Sequence, residues 1–404
     1  MRGGGLVTAC VAGLLLSGLA PAVPAAQAAP PSRAAQAGPP SRAAPPGLPG
    51  PLPGCPAQQA TAAPARAPWP QAALGFSSVW NRTRGAGVTV AVVDSGVDAN
   101  PQFGNRVISG PDLVAGKKPG IPPGADCVGH GTAVASIIAA APVSGVSFTG
   151  VAPAARILSV KISGTESFPT AATPQGIMDA VQFGADVINL SLATPDDVPS
   201  LRHAVEYALK HNVVVVAAAG NDLPQQGTGP YYPASYPGVL AVGAVGPGGT
   251  LAPFSDRHTP VSVTAPGVHV TTAYPGTFPD AYDPDESGTS FAAAYVSGVV
   301  ALVRAAHPGL TAAQVVARIE ATARGPAGPG TGHGLIDPVR AVTATLPSAG
   351  PAGPAGPAGT GTSPVSRAVI AASFGLCVVV VVTAGLAIAR RRRSGPGSSG
   401  GHAA

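Results

Sequence analysis

Charged and aromatic residues are scarce in this sequence of 404 residues, making up 10% and 4% of it. Both ends lack acidic residues altogether: all 18 Asp and Glu lie between Asp94 and Asp337, together with only 11 Lys and Arg. The central part is therefore acidic, with a formal balance of −7, although the whole chain carries +5. This distribution excludes the basic domain that nucleic-acid binding requires.

Aromatic residues are also nearly absent from the ends. All 18 except Phe374 lie between Trp69 and Tyr295, whereas the segment 21–70 holds 15 of the 47 prolines. A proline-rich segment with so few aromatics cannot bury a core of its own. One globular unit of roughly 270 residues between unstructured flanks fits both distributions, and it excludes a wholly disordered chain or a row of domains.

The N-terminus predicts export. Residues 1–28 contain an early Arg2, an apolar run over Leu6–Ala20 and small residues at Ala26–Ala28, which is the pattern of a cleavable signal peptide. Cys10 lies near the start of the apolar run instead of after it, which does not favour lipid modification.

The C-terminus predicts a membrane anchor. The segment Ala368–Ala389 has no charged residue, and as a helix it would span about 33 Å, enough for a bilayer core of about 30 Å. Arg390–Arg393 follows directly, and the positive-inside rule places such a cluster in the cytoplasm. We therefore expect a single-pass protein of the cell membrane with its globular part outside the cytoplasm.

Only four cysteines are present, and two of them fall in the predicted targeting segments (Cys10 and Cys377). Cys55 and Cys127 remain, in a chain whose export implies an oxidising environment. A disulfide between them would stabilise the fold by up to about 4 kcal/mol in the chain-entropy model. It would also attach the proline-rich segment to the globular domain, whereas two thiols do not suffice for a zinc site.

The central part alternates between strand-like and helix-like patterns. Five Val/Ile-rich runs lack polar alternation, as expected for strands buried on both faces: Val88–Asp94, Ile157–Ile162, Val187–Ser191, Val213–Ala219 and Leu240–Val245. Helical patterns follow at Thr132–Ala141, Gln175–Phe183, Val198–His211, Ser290–Ala306 and Thr311–Ala323. The alternation predicts an α/β fold with a doubly wound, mostly parallel sheet and helices on both faces. Active sites of such sheets open at the carboxyl ends of the strands.

Three short motifs place an acid, an imidazole and a hydroxyl at those ends. Asp94 ends the first strand, His130 stands in Gly-His-Gly-Thr before a helix, and Ser290 stands in Gly-Thr-Ser-Phe-Ala-Ala at the start of the longest helix. Each motif alone is weak, since a lone His before Gly is more often a turn residue. Together, in the order Asp, His, Ser on one framework, they predict a catalytic triad.

On these motifs the sequence resembles the subtilases, the subtilisin-like serine proteases, over about residues 80–343. Within that family it is most similar to the mycosins, the membrane-anchored subtilases of type VII secretion systems in actinobacteria. The proline-rich arm, the two cysteines, the Asp126–Thr132 motif (Asp-Cys-x-Gly-His-Gly-Thr) and the C-terminal anchor carry the narrower resemblance. It implies a subtilisin-like fold and a serine endopeptidase that cleaves exported proteins through an acyl-enzyme, without a metal or other cofactor.

The resemblance also implies roles for individual residues. Ser290 is the expected nucleophile, His130 its general base and Asp94 the group that orients the imidazole. Asn221 matches the family's oxyanion-hole residue, and the backbone N–H of Ser290 would complete that hole. The segment Leu190-Ser191-Leu192 matches the family's substrate-binding strand, along which a peptide binds as an added strand.

Three residues depart from the family pattern. Ala193 replaces a glycine that usually follows the substrate-binding strand. The shape of the pocket for the substrate residue before the scissile bond therefore does not follow from the family pattern. Ala294 replaces a proline in the nucleophile's helix, and Ser136 replaces a glycine in the helix after His130. None of the three removes a catalytic group.

A cluster of acidic residues lies shortly before Ser290, at Asp280, Asp283, Asp285 and Glu286. It would favour basic substrate residues, bind calcium through its oxygens, or form a solvated loop, and the sequence leaves these three interpretations open. The other seven histidines show no spacing typical of a metal site, so we expect surface or core positions for them: His203, His211, His258, His269, His307, His333 and His402.

The predicted organisation follows from these segments. It comprises a signal peptide at 1–28, a Pro/Ala-rich extension at 29–68, a peptidase domain at 69–343, a linker at 344–367, a membrane helix at 368–389 and a basic tail at 390–404. We interpret the extension as a wrap attached by a disulfide instead of a folded inhibitory propeptide. The expected partners are a peptide or protein substrate, the membrane and components of a type VII secretion channel, with no nucleic acid. A second hypothesis makes the protein mainly a structural subunit of a secretion complex.

Overall fold

The computed structural model of this protein describes Cys55 and residues 61–346, except 115–119, 166, 168, 170, 223–228 and 277–280. The predicted signal peptide, most of the proline-rich extension, the membrane helix at 368–389 and the basic tail lie outside the described residues.

Nine strands occur in this part of the chain: β1 (Thr89–Asp94), β2 (Val107–Asp112), β3 (Arg156–Lys161), β4 (Val187–Leu190), β5 (Val214–Ala218), β6 (Leu240–Val245), β7 (Val263–Pro266), β8 (Val270–Ala273) and β9 (Tyr282–Glu286). The first seven form one parallel sheet in the order β2-β3-β1-β4-β5-β6-β7. The last two form a separate antiparallel pair. All five predicted strands are present, each within one residue of its expected ends.

Seven α-helices accompany the strands within the described ranges: α1 (Trp69–Leu74), α2 (His130–Ala139), α3 (Ala172–Gln182), α4 (Pro199–Lys210), α5 (Thr289–Ala306), α6 (Ala312–Thr322) and α7 (Pro338–Thr343). The helix α6 begins with a capping box in which the Thr311 side chain accepts from the backbone of Gln314 and the Gln314 side chain accepts from the backbone of Thr311. The two short helices α1 and α7 were not predicted, because they offer too few turns for a periodic apolar pattern.

The helices cover both faces of the sheet, as predicted. Alternate residues of β1 pack in two separate apolar clusters: Val90 and Val92 with α2, α5, α6 and α7, and Ala91 and Val93 with α3 and α4. Side chains of a strand alternate between the two faces. Asp94 follows Val92 by two residues, so its side chain lies on the face that α2 and α5 cover.

The strand order changes direction at β1, which lies between β3 and β4. The carboxyl ends of β1 and β4 therefore form the crevice in which ligands of doubly wound sheets bind. The helix α5 crosses this face of the sheet and is mostly buried. In the described residues it is the one helix long and apolar enough to cross a membrane, but its burial shows that it is a core helix.

The described part of the N-terminal extension contacts the domain at several points, among them the carbonyl oxygen of Ala65, which accepts a hydrogen bond from the Ser147 hydroxyl at 3.2 Å. Cys55 and Cys127 form a disulfide with their Cα atoms 4.9 Å apart. Thr61 pairs with Tyr282 of β9, with backbone N–H···O distances of 2.7 and 3.1 Å in the two directions. Further along, the Trp69 indole donates to the carbonyl oxygens of Val268 and His269.

Candidate active site

The structure brings Asp94 and His130 into direct contact. Asp94 ends β1, His130 is the first residue of α2, and Nδ1 of the imidazole lies 2.8 Å from Oδ1 of the carboxylate. The same oxygen accepts the Ser95 backbone N–H at 2.7 Å, and Asp94 is fully buried. A buried carboxylate at Nδ1 fixes the tautomer that leaves Nε2 as the basic nitrogen.

The glycine after His130 permits this contact. A Cβ atom at Gly131 would lie 2.0 Å from the carbonyl oxygen of Gly96 and 3.2 Å from Cβ of Asp94. The Gly131 N–H donates to Oγ of Ser95 at 2.9 Å. The Gly-His-Gly motif is therefore required for α2 to begin directly against the end of β1.

A second buried carboxylate, Asp126, organises the loop before His130. It accepts four hydrogen bonds: from the Ser95 hydroxyl (2.8 Å), the Gly129 N–H (2.8 Å) and both the N–H (2.8 Å) and the hydroxyl (2.7 Å) of Thr132. Burial raises the pKa of the Asp126 carboxyl, and these hydrogen bonds oppose that effect. Beneath it, the buried Lys161 ammonium donates to the carbonyl oxygens of Ser95 and Ala125. Asp126 was not among the predicted site residues, although it lies four residues before His130 in the same motif.

Ser290 is the second residue of α5 and faces the end of β4. Its hydroxyl donates to the carbonyl oxygen of Ser191 at 3.1 Å, and the Ser191 hydroxyl donates to the Ser290 carbonyl oxygen at 3.0 Å. Behind them, the Asn189 amide donates to Oγ of Ser191 (2.9 Å) and accepts from the Ser297 hydroxyl (2.8 Å). This buried polar chain fixes the start of α5 to β4.

Asn221 follows β5 and is anchored beside Ser290. Its Oδ1 accepts both the backbone N–H of Thr289 (3.0 Å) and the Thr289 hydroxyl (2.9 Å). Because the oxygen is engaged, the amide nitrogen lies on the other side, near Gly288. The preceding Gly220 has φ +104°, and a Cβ there would lie 2.5 Å from the Tyr231 ring. The turn that presents Asn221 therefore requires glycine.

A cleft of about 390 Å³ brings these groups together. His130, Ser290 and Asn221 line it, as do Ser191 and Leu192 of the predicted substrate-binding segment. Leu190 does not line it. Its side chain is fully buried in the apolar cluster around α3 and α4, because alternate residues of β4 face opposite sides of the sheet.

The acidic residues before Ser290 separate in the structure. Glu286 lines the cleft, whereas Asp285 is exposed beside His269, and Asp283 accepts the Asp285 N–H at 2.8 Å. Asp280 lies outside the described residues. Over the described ranges, no three His, Cys, Asp or Glu side chains converge in a way that would hold a metal ion.

Comparison with known proteins identifies the family. The model of the subtilase family matches residues 85–356. The chain belongs to the subtilases. Over 334 residues this subtilase is 36% identical to Mycosin-1 of Mycobacterium tuberculosis, a match that covers 69% of the chain and 74% of that protein. The family and the mycosin resemblance inferred from the motifs are thereby confirmed, and with them the classification as a serine protease.

Solved structures confirm the fold. The subtilase superposes on MycP1, a serine protease described as an essential component of the type VII (ESX-1) secretion system, with a TM-score of 0.62 and 35% identity. That match covers 74% of this chain and 97% of the MycP1 chain. A chain of the periplasmic assembly from the ESX-5 inner membrane complex matches with a TM-score of 0.62 and 31% identity, over 80% of this chain and 97% of that one.

The departures from the subtilase pattern fit their surroundings. The Ser136 hydroxyl accepts the Ala273 N–H of β8 at 2.9 Å and donates to the carbonyl oxygen of Ala133 at 2.6 Å, so it joins α2 to β8. Ala294 is fully buried within an uninterrupted α5. Ala193 is exposed at the edge of the cleft.

The electrostatics of the subtilase cleft raise the proton affinity of the imidazole. Burial opposes protonation of His130, but the charge and hydrogen bond of Asp94, with the charges of Asp126 and Glu286, outweigh it and raise the pKa of the imidazole. The His130 side chain is 23% exposed, and its ring lies 5.6 Å from that of Phe291. The imidazole thus faces the cleft next to the start of α5, where it can exchange protons with a bound peptide.

Proposed function

We propose that this subtilase is a serine endopeptidase that hydrolyses peptide bonds of exported proteins, with Asp94, His130 and Ser290 as its catalytic triad. The observation that carries the proposal is the 2.8 Å contact between Asp94 and His130 beside a cleft that Ser290 and Asn221 also line. An acid, a base and a nucleophile from three distant segments have few other reasons to converge at one cleft.

The first step forms an acyl-enzyme. The Ser290 hydroxyl leaves the carbonyl oxygen of Ser191 and attacks the carbonyl carbon of the scissile bond, while Nε2 of His130 takes its proton. Asp94 stabilises the resulting imidazolium through Nδ1–H. The imidazolium then gives the proton to the leaving amine, the C–N bond breaks, and the first product departs.

The second step repeats this chemistry with water. His130 removes a proton from a water molecule that attacks the acyl carbon, and the Ser290 oxygen takes the proton back as the ester bond breaks. In both steps the oxygen of the tetrahedral intermediate is negative. The Asn221 amide and the Ser290 N–H are the donors that we assign to it, because anchoring of Asn221 at Oδ1 directs its nitrogen away from Thr289.

The substrate binds as an extended chain beside the end of β4. Ser191 and Leu192 line the cleft there, and a peptide added as a strand is recognised mainly through its main-chain hydrogen bonds. Ala193 lies at the margin of this segment. Its methyl group would narrow the pocket for the substrate residue before the scissile bond, compared with a glycine at this position. The affinity for this part of the substrate is therefore expected to depend little on sequence.

We place the protein at a type VII secretion system, with the peptidase domain on the outer side of the membrane. The proposal is supported by the similarity to Mycosin-1 and to MycP1, and by the predicted signal peptide and C-terminal anchor of the sequence. In this setting the N-terminal extension is a wrap held by the Cys55–Cys127 disulfide. In accord with a wrap, neither Cys55 nor the described residues 61–68 line the cleft.

A second candidate function is structural support of the secretion complex. It is favoured by the match to a chain of the ESX-5 periplasmic assembly over 80% of this sequence. The two functions are compatible, because a protease domain can hold a complex together with surfaces remote from its cleft.

Ser290→Ala at the native locus tests the proposal, with the exposed Ser78→Ala as the matched control. We expect processing of exported substrates to stop in the first variant and to continue in the second. Secretion that survives in Ser290→Ala would separate the catalytic from the structural function. A fluorophosphonate probe that never labels the wild-type protein would contradict the catalytic proposal itself.

A further inference from the structure

One acidic side chain lines the cleft among the described residues, and the mechanism above does not use it. Glu286 is the last residue of β9, four residues before Ser290, and is partly buried. Its Oε1 accepts a hydrogen bond from the hydroxyl of Tyr274, which also lines the cleft. Its Oε2 accepts no hydrogen bond from the residues that the structure describes.

The neighbouring acid has the opposite environment. The Asp285 side chain is 67% exposed and is paired with His269, on the other face of the short strand. Neither Asp285 nor Asp283 lines the cleft. Of the acidic residues that the sequence places before Ser290, Glu286 is therefore the described one whose charge faces a bound peptide.

The position of Glu286 defines the part of the peptide that it would contact. The pair β8–β9 is attached to α2 through the hydrogen bond from Ala273 to Ser136. Tyr274 and Glu286 line the cleft together with His130, the first residue of α2. The charge of Glu286 contributes to the electrostatic environment of His130. Ser191, Gly220 and Asn221, which line the same cleft, follow β4 and β5 in the chain. Since His130 gives its proton to the leaving amine, the side with Glu286 holds the residues after the scissile bond.

We propose that Glu286 binds the cationic side chain of a Lys or Arg residue on the leaving-group side of the scissile bond. The assignment rests on the proposed function, and it adds a substrate class to it. Glu286 lines the cleft with one carboxylate oxygen held by Tyr274 and the other without a hydrogen-bond partner among the described residues. Such a carboxylate can accept a charge-assisted hydrogen bond from a cationic side chain. The Tyr274 ring beside it offers a surface for the stem of a long cationic side chain.

The energetics of the pair favour recognition. Burial raises the pKa of the Tyr274 hydroxyl, as does its bond to Glu286, so the hydroxyl keeps its proton and remains a donor. Burial also raises the pKa of Glu286, while the hydrogen bond from Tyr274 opposes that shift. A carboxylate that has lost part of its hydration gains more from an incoming cation than a fully solvated one does.

The test uses the wild-type protein and a set of quenched peptides that carry Arg, Lys, Ala or Glu at each of the first three positions after the bond. Mass spectrometry locates the cut. We expect kcat/KM to be about tenfold higher for Arg or Lys than for Ala at one of these positions. In Glu286→Gln this preference should vanish, in Glu286→Lys it should invert in favour of Glu, and in the matched control Asp285→Asn it should persist.

Each other outcome overturns the inference. A wild-type protein without the preference contradicts it, as does a preference that survives in Glu286→Gln. An equal loss of kcat/KM for all peptides in that variant would show that Glu286 acts through His130 instead of on the substrate. If the fluorophosphonate probe labels Ser290 but the wild-type protein shows no preference for Arg or Lys peptides, this inference is wrong and the proposed function stands. Absence of both labelling and cleavage defeats the proposed function and the inference together.

Discussion

The two sides of the cleft differ in the kind of chemical group that forms them. The His130 side comprises partly or fully buried ionisable side chains: Asp94, Asp126, His130, Tyr274 and Glu286. Asp94 contacts His130, Tyr274 contacts Glu286, and the charges of Asp126 and Glu286 act on His130. The Asn221 side, formed by Ser191, Leu192, Gly220 and Asn221, consists of backbone and neutral side chains fixed by short polar bonds.

This difference separates two tasks. In the proposed mechanism, charges on the His130 side set the proton affinity of the imidazole and the charge preference for substrate, so changes there should alter rates in a pH-dependent way. The neutral donors that we assign to the Asn221 side would act on an oxygen that is negative in the transition state, so changes there should lower the rate at every pH alike. Substitutions on each side test this separation.

The largest loss of kcat is expected for Asp94→Asn. The amide would keep the size of the side chain but favour the wrong tautomer of His130 and withdraw the charge that stabilises the imidazolium. By analogy with other triads kcat should fall by about 10⁴. Hydrolysis of a chromogenic peptide measures it, with the exposed Asp285→Asn as control for loss of one negative charge. Retention of more than about 10% of the wild-type kcat would contradict the assignment of Asp94 to the triad.

Asn221→Ala should lower kcat by about 10²–10³, since it removes one oxyanion donor. Because the lost interaction forms only in the transition state, KM should remain close to the wild-type value. The pH profile should also keep its shape, because Asn221 carries no charge. If the acid limb of the pH profile moved as far in Asn221→Ala as in a variant of the His130 side, the separation of the two sides would be contradicted.

Asp126→Asn should combine a smaller loss of activity with a shift of the pH profile. The Asp126 charge helps to raise the pKa of His130, so its removal lowers that pKa. The base then becomes neutral at lower pH, and the acid limb of kcat/KM should move to lower pH. Asn221→Ala, which should leave the limb in place, is the control.

A purely structural role for Asp126 predicts something else. Its loss would then reduce activity at every pH in proportion to the fraction of folded protein, with an unmoved limb. Thermal unfolding of the same variant measures the folded fraction, and about 1–3 kcal/mol of destabilisation is expected for each buried donor left without a partner.

The sequence predicted the five central strands because each is an apolar run buried on both faces. It missed β2, β7, β8 and β9. The glycines, prolines and acids of β2, β7 and β9 are typical of turns, and β8 has only four residues. These strands lie at the edges of the main sheet or in the separate pair. One side of their backbone forms no hydrogen bonds to a neighbouring strand, so residues unusual in strands are tolerated there.

The site shows the same limit. Asp94, His130 and Ser290 stand in local motifs, so the sequence alone could single them out. The carboxylate of Asp126 accepts a hydrogen bond from Ser95, which lies 31 residues earlier in the sequence. Glu286 lines a cleft that several distant segments form together. Leu190 was predicted as part of the substrate-binding segment, but its side chain lies in the core, because the motif does not state which face of β4 each residue occupies.

The smallest loss of activity is expected for Ser136→Gly, at the attachment of β8 to α2 within the His130 side. The variant restores the residue usual in the family but removes the hydrogen bond from Ala273 to the Ser136 hydroxyl, which joins α2 to β8. Loss of that bond and a glycine within a helix together should lower the free energy of unfolding by about 1–2 kcal/mol. Ser136→Ala isolates the hydrogen bond, because alanine keeps the helix propensity. In both variants kcat on an Ala-containing peptide should stay within about twofold of wild type, since Ser136 contacts no group of the triad. A larger loss of kcat at unchanged stability would show that β8–β9 positions His130 as well as Glu286.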